Sequence, residues 1–554
     1  EPPWYGTVCP VVWEDGGSNP ASYPIGLIMR FDRSTFLPMT EKIHFDVDKT
    51  IYDLLHDSAE RFGQKVALNY RQSALTYSQL LGEVYKLSGK LRFCGVGKAD
   101  RVFVIMPNSP GLVIAYFAIF RIGAVAVPLS IGSTHVEIDA LLSHSRPTAG
   151  ITTTQTSQAV ERALLLNDVN PAVLISEWDE ASEHRYTIFK EASPRSTVHG
   201  GPPSPEDPAV MLYTAGTTGR PKGVILTHRN IVSNTYSCQK AMPVSDSDIF
   251  LAFLPMYHSF AFTTCTVLPV LLGSTTVILP GPKKELIIDA VCRFGVTVFI
   301  GIPGLYAILS RADSTIASLF DRVRFFVSGA APLSLQTIEA FSKLYRGPLL
   351  EGYGLTEAAP VVSLNPIDGV QKAGSIGLPL PDVSVRVVDE SGCDIPPGEI
   401  GELLVRGPNV MQGYFGDADA THEKIRDGWL YTGDMARMDG DGYICIEDRK
   451  DDMILVQGSN VYPHEIEDTI RTIEGVVDVA VVGIADGHRG KRPVAVVQAL
   501  EGAMIDEECI LAHCREHLSK HKAPRHVHFW SELPLSPLGK PLKREIREIL
   551  NSRK

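Results

Sequence analysis

Tyr213-Thr-Ala-Gly-Thr-Thr-Gly-Arg-Pro-Lys-Gly-Val-Ile-Leu-Thr-His228 crowds three threonines (Thr214, Thr217, Thr218), three glycines (Gly216, Gly219, Gly223) and Lys222 into ten residues. Glycines let a backbone approach a ligand closely and take positive φ. Clustered N–H groups, hydroxyls and an ammonium form a nest for a polyanion such as a nucleoside triphosphate. The preceding run, Ala209-Val-Met-Leu-Tyr213, reads as a buried strand, and Thr227-His-Arg-Asn-Ile-Val232 reads as a helix start. The spacing departs from the common NTPase loop, Gly-x4-Gly-Lys-Ser/Thr. Gly219 is followed by Arg-Pro-Lys, and Pro221 bars a helix at that point.

Working outward, the 554 residues suffice for several domains, and 44% hydrophobic content supports large buried cores. A net charge of −12 argues against nucleic acid as a principal partner. The nine cysteines are scattered without a Cys-x-x-Cys pair, which fits neither a disulfide framework nor a zinc ribbon. No apolar run reaches the length of a membrane span. Gly111-Leu-Val-Ile-Ala-Tyr-Phe-Ala-Ile-Phe120 comes closest, ends at Arg121, and reads as a buried helix before the strand Ala124-Val-Ala-Val-Pro-Leu129. No signal peptide or lipidation address is recognised, so a cytoplasmic protein is expected.

Residues 1–40 are rich in Pro and Gly and read as an irregular extension. From Asp48 the pattern becomes an alternation of helices and strands. Ile51–Phe62 has apolar residues at helical spacing, Lys65–Tyr70 is a strand, Thr76 caps another helix, and Arg101–Met106 is a continuously apolar strand. That rhythm implies a layered α/β body. The signal weakens between about 155 and 208, where Ser193–Pro205 is rich in turn residues. Beyond 375, Ser384–Asp389, Glu402–Arg406 and Gly442–Ile446 mark a smaller β-rich subdomain. The last hundred residues read as a compact α+β unit: helix Pro463–Ile473, strands Val477–Gly483 and Pro493–Gln498, helix Asp506–Leu518 and strand His526–Phe529. The expected architecture is α/β. A large layered domain (41–450), made of two α/β subdomains plus the β-rich one, precedes a small mobile α+β cap (451–554).

Glu351-Gly-Tyr-Gly-Leu-Thr-Glu357 is the second chemical signal. Gly352 and Gly354 would let the Tyr353 ring lie flat on a base, with Thr356 and Glu357 near the phosphates. Mg²⁺ takes hard oxygen ligands, and Glu357 with Thr214 supplies them. Tyr431-Thr-Gly-Asp434 offers a carboxylate that could accept both hydrogen bonds of a ribose diol. Arg449 could reach ribose or phosphate. His513, His517 and His521 recur at a spacing able to ligate zinc, but they lack carboxylate partners and read as a solvated helix face.

Leu254-Pro-Met-Tyr-His258, Ser328-Gly-Ala-Ala-Pro332, Gly401-Glu-Leu-Leu-Val-Arg-Gly407, the run from Asp448 to Pro463 and Pro537-Leu-Gly-Lys540 complete a series. In this order, over about 500 residues, they resemble the adenylate-forming superfamily of acyl-CoA synthetases, peptide-synthetase adenylation domains and luciferases. Ala373–Pro381 and Asp448–Asp468 are most similar to bacterial medium- or long-chain fatty acyl-CoA synthetases. Ala215 departs from the family, which more often has Ser or Thr there, and removes one phosphate donor.

The resemblance implies a two-step reaction. A carboxylate, here a fatty acid, attacks the α-phosphorus of Mg·ATP to give acyl-adenylate and pyrophosphate; CoA thiolate then displaces AMP. ATP would be held by Thr214, Ala215, Gly216, Thr217, Thr218, Gly219, Lys222, Gly329, Ala330, Ala331, Glu351, Gly352, Tyr353, Gly354, Thr356, Asp434 and Arg449. Lys540 matches the catalytic lysine, Glu357 counts with it among the catalytic residues, and His258 falls at the mouth of the acyl pocket. Asp451 matches the hinge, and Gly458 and Ser459 lie on the loop offered to CoA. A carrier-protein acceptor and a catalytically idle nucleotide-binding homologue are the rival readings. Homodimers occur among relatives, and peripheral membrane contact stays open.

Overall fold

A computed structural model describes residues 28–30, 46–166, 169, 171–178, 184–190, 200–214, 221–456, 459–485, 491–519, 522–536 and 539–552. Helix starts are set by side-chain caps. Thr50 opens Ile51–Phe62 and Thr76 opens Tyr77–Phe93, each through a reciprocal capping box that satisfies two otherwise orphaned N–H groups. Ser109 caps Pro110–Arg121, where Pro110 occupies the first turn without losing a needed donor. This helix is apolar on every side and buried from Pro110 to Phe120, so it serves as core between layers.

Two large sheets carry the site. The first runs in the order Gly413–Tyr414, Lys222–Thr227, Pro208–Thr214, Val125–Pro128, Arg101–Ile105, Ala149–Thr152, Ala172–Trp178, His184–Lys190. The second runs Leu378–Pro379, Val361–Leu364, Leu349–Gly354, Phe325–Ser328, Val298–Gly301, Ile249–Ala252, Thr275–Ile278, Val66–Tyr70, Ser73–Thr76. Their central strands are parallel and continuously buried, as expected for sheets covered on both faces. One apolar cluster spans both sheets and includes Phe117, Phe120, Phe262, Phe299 and Phe326. The β-rich part is a separate antiparallel sheet of Ser384–Val388, Gly401–Arg406, Trp429–Met438 and Ile425–Arg426, with Ile444–Arg449 on Trp429–Met438. The last three-stranded sheet (Val476–Ala485, Lys491–Ala499, His526–Phe529) has its own apolar clusters, one on each face.

The structure corrects several expectations. Residues 1–40 are not wholly irregular: Ile28–Arg30 pairs antiparallel with Val370–Lys372. The weak region after 155 holds the helix Thr154–Leu164 and the antiparallel pair Ala172–Trp178 and His184–Lys190. The strand expected at Gly442 begins at Ile444, because Asp439–Gly442 forms a turn with Gly442 at φ +86°. A final helix, Lys543–Ser552, was not anticipated. Glu467, within the helix Pro463–Arg471, is buried, accepts from the Val481 N–H at 2.7 Å and pairs with Lys543 at 2.9 Å. His513 meets the Thr472 hydroxyl at 2.9 Å and lies against His517, while His521 is outside the described residues.

Candidate active site

The glycine–threonine loop joins two antiparallel strands, Pro208–Thr214 and Lys222–Thr227. Thr214 and Lys222 are cross-strand partners at its mouth, and the helix His228–Ala241 begins only after Lys222–Thr227, capped by Thr227. Ala215, Gly216, Thr217, Thr218 and Gly219 lie outside the described residues. Gly223 is fixed by packing, since a Cβ there would sit 2.9 Å from the Met211 sulfur. Lys222 Nζ stands 5.0 Å from the centre of the Tyr414 ring, within cation–π range.

Tyr414 connects this loop to the acidic segment. Its hydroxyl donates to Glu357 Oε1 at 2.8 Å, and the Met411 N–H donates to the Glu357 carbonyl at 2.8 Å. Thr356, beside Glu357, has its hydroxyl 3.1 Å from that of Ser259. Gly354 is obligatory, because a Cβ would lie 2.2 Å from the Pro360 carbonyl oxygen. Gly352 is confined by Leu364 and the Ser363 carbonyl at 3.0 and 3.1 Å.

The Tyr353 phenol, one of two side chains that hold the buried carboxylate of Asp434, donates to it. Arg449 Nη1 lies 3.1 Å from Asp434 Oδ1, and the two residues face each other across the antiparallel pair that carries them. The Asp434 N–H donates to the Thr432 hydroxyl at 3.0 Å. Burial pushes the Tyr353 phenol far above its ordinary range, so it stays a donor.

Lys540 lies on the small domain. Its loop is closed by two hydrogen bonds with Ser536: Ser536 N–H to the Lys540 carbonyl at 2.8 Å, and Lys540 N–H to the Ser536 hydroxyl at 3.0 Å. The residue keeps solvent exposure, yet protein crowded around the ammonium lowers its pKa. Repulsion from Arg449 acts in the same direction, and attraction to Asp434 opposes it.

The remaining predicted residues are placed as follows. Gly329, Ala330 and Ala331 follow the strand Phe325–Ser328; a Cβ on Gly329 would lie 3.0 Å from the Phe260 ring, and Ala330 takes φ +73°. His258 precedes the turn Ser259–Ala261 with its Nε2 buried and unpartnered, and burial lowers its pKa to about 4. Glu351 is buried, accepts the Leu333 N–H at 3.0 Å and leaves its other oxygen unpaired; burial raises its pKa to about 8. That carboxyl faces Asn365, Gln371 and Lys372 in a small pocket apart from the Glu357–Tyr414 contact. Asp451 is exposed in the turn between Ile444–Arg449 and Ile454–Val456. Ser459 opens the strand Ser459–Val461, and Gly458 lies outside the described residues.

Tyr414 and Lys424 belong to this constellation, although neither was singled out in the sequence. Gly413-Tyr414 is a short pair with no periodicity, and a lysine before Ile-Arg-Asp-Gly reads as a surface residue.

Glu357, Asp434 and Arg449 are thus placed near one another's segments, and the sequence resemblance assigns them to enzymes that activate an acid as its adenylate. The AMP-binding enzyme family matches residues 55–415, and the AMP-binding enzyme C-terminal domain matches residues 465–540. The chain is 34% identical over 537 residues to a long-chain-fatty-acid–CoA ligase of Escherichia coli, covering 92% of this chain and 96% of that protein. It is also 34% identical over 483 residues to a feruloyl-CoA synthase of an Amycolatopsis species, covering 87% and 95%. Among solved structures, ATP-bound MatB from Rhodopseudomonas palustris superposes with a TM-score of 0.83 at 30% identity, covering 91% of this chain and 99% of that one. The chain belongs to the AMP-binding enzyme family and is an AMP-forming acid–thiol ligase, an acyl-CoA synthetase that uses ATP and CoA.

Proposed function

We propose that the acid is a medium- or long-chain fatty acid and that adenylation is centred on Lys540, Asp434 and Arg449. The observation that carries this reading is the Asp434 carboxylate, held by Arg449 at 3.1 Å on one oxygen and by the Tyr353 phenol on the other. The first half-reaction joins two anions, carboxylate and triphosphate, so positioning and positive charge are the main requirements. Asp434 would hold the ribose, Arg449 the ribose or α-phosphate, and Lys222 with Thr214 and the loop the outer phosphates. Lys540 would bridge the incoming carboxylate and the α-phosphate.

Mg²⁺ fits the donor set. Among the described residues Tyr414 bonds one oxygen of Glu357, and the other candidate donors, the Thr214 hydroxyl and the phosphates themselves, are hard oxygens. When bound, the ion would neutralise charge on the triphosphate. His258, neutral at physiological pH, would stand at the acyl end, where a charged imidazolium beside an apolar chain would be costly. Rotation about Asp451 would then exchange Lys540 for the loop of Gly458 and Ser459, so that the thiolate can attack.

The fatty-acid assignment is supported by the similarity to the Escherichia coli ligase. The feruloyl-CoA synthase, also 34% identical though over a shorter stretch, favours a second reading, an aromatic acid. A panel of saturated fatty acids, benzoates and hydroxycinnamates, followed by pyrophosphate release and thioester mass, tests the choice. The highest kcat/KM is expected for a fatty acid; a hydroxycinnamate turned over faster would overturn it.

A further inference from the structure

The site holds one cation that no motif accounts for. Lys424 ends the helix Ala418–Lys424, and its Nζ donates to the carbonyls of Tyr431 at 3.0 Å and Thr432 at 3.1 Å. Those residues immediately precede Gly433 and Asp434. Gly433 has φ +76°, and a Cβ there would lie 3.4 Å from Lys424 Nζ and 3.8 Å from Arg449 Nη2. Two cations therefore border one small space, with the carboxylates of Glu357 and Asp434 within electrostatic reach of Lys424.

An ammonium has three N–H donors, and the two carbonyls use two of them. A neutral donor could satisfy those carbonyls equally well. The carboxylates of Glu357 and Asp434 offset part of the Lys424 charge, and an anion entering the space beside Gly433 would meet both cations. We propose that Lys424 donates its third N–H to a phosphate oxygen of the bound nucleotide, on the stretch between the ribose end at Asp434 and the Glu357 end. This rests on the nucleotide site proposed above. It supplies a phosphate contact in a chain whose loop lacks a hydroxyl at Ala215. The competing role is purely structural, as a clamp between the helix Ala418–Lys424 and the strand Trp429–Met438.

The test is equilibrium binding of ATP, AMP and adenosine to full-length protein, without acid or CoA, by calorimetry and competition. Lys424→Met should weaken ATP and AMP about tenfold, the loss expected for one charge-assisted hydrogen bond, and leave adenosine within about twofold. Lys424→Arg should restore most of the affinity, and Lys424→Gln, which can still reach a carbonyl, should behave like Met. Unchanged ATP and AMP affinity in Lys424→Met, or equal loss of all three ligands, overturns the proposal and leaves the structural clamp. Wild-type protein that binds neither ATP nor AMP would instead refute the nucleotide site itself, and the proposal with it.

Discussion

Arg449 and Asp434 stand opposite one another on adjacent strands, 3.1 Å apart, and the Tyr353 hydroxyl takes the carboxylate's other oxygen. A buried carboxylate held by a guanidinium and a phenol is fixed in orientation. Asp434→Asn removes the negative charge while keeping the shape. It leaves Arg449 uncompensated beside Lys540 and Lys424. The expected result is at least a tenfold rise in KM for ATP, with a loss of stability of about 1–3 kcal/mol in thermal or urea unfolding. Wild-type KM for ATP in this variant would remove Asp434 from the nucleotide site.

Glu357 has one oxygen on Tyr414, and no hydrogen bond is found to the other among the described residues. Glu357→Gln keeps the hydrogen bond from Tyr414 but weakens a hard-cation site. Adenylation should fall by about two orders of magnitude, with part of the loss recovered by raising Mg²⁺. Titration of rate against Mg²⁺ concentration checks this, and an unshifted Mg²⁺ curve would contradict it.

Glu351 gives a pH prediction with a definite sign. Its folded-state pKa, about 8, lies above the ordinary carboxyl value because burial disfavours the charged form. The folded protein therefore binds more protons than the unfolded chain between those two values. The associated stability is full below about pH 4.5 and is lost as pH rises through 8. Glu351→Gln cannot ionise, so its melting temperature should rise relative to wild type as pH increases from 5 to 8. A difference independent of pH would show that Glu351 is not held neutral.

His228 behaves in the opposite direction. Burial lowers its pKa to about 4, and its Nδ1 accepts the Ile51 N–H at 3.3 Å. Its contribution is present above about pH 6.5 and is lost as pH falls through 4. His228→Asn should flatten the acid side of the stability profile measured by thermal unfolding. A slope unchanged from wild type would contradict this assignment.

The helices Ile51–Phe62 and Pro110–Arg121 and the strands Arg101–Ile105 and Val476–Ala485 were legible because their patterns are local: a hydroxyl cap, a 3.6-residue stripe, or an unbroken apolar run. The strand Ile28–Arg30 was not, because its partner Val370–Lys372 lies far along the chain. The helix Lys543–Ser552 was hidden by its charge, with only Ile546 and Leu550 buried. Within the site, glycines and hydroxyls in unusual density flagged the loop. Lys424 gave no local signal, since its position beside Gly433 depends on how a helix end meets a strand.

The central claim is that Lys540 supplies positive charge to adenylation alone. The most direct test compares two half-reactions in Lys540→Ala: acid-dependent exchange of labelled pyrophosphate into ATP, and thioester formation from supplied acyl-adenylate and CoA. Exchange should fall at least a hundredfold, the scale of losing one charged donor to a transition state, while thioester formation stays within about twofold of wild type. Equal loss in both halves, or undiminished exchange, would contradict the account.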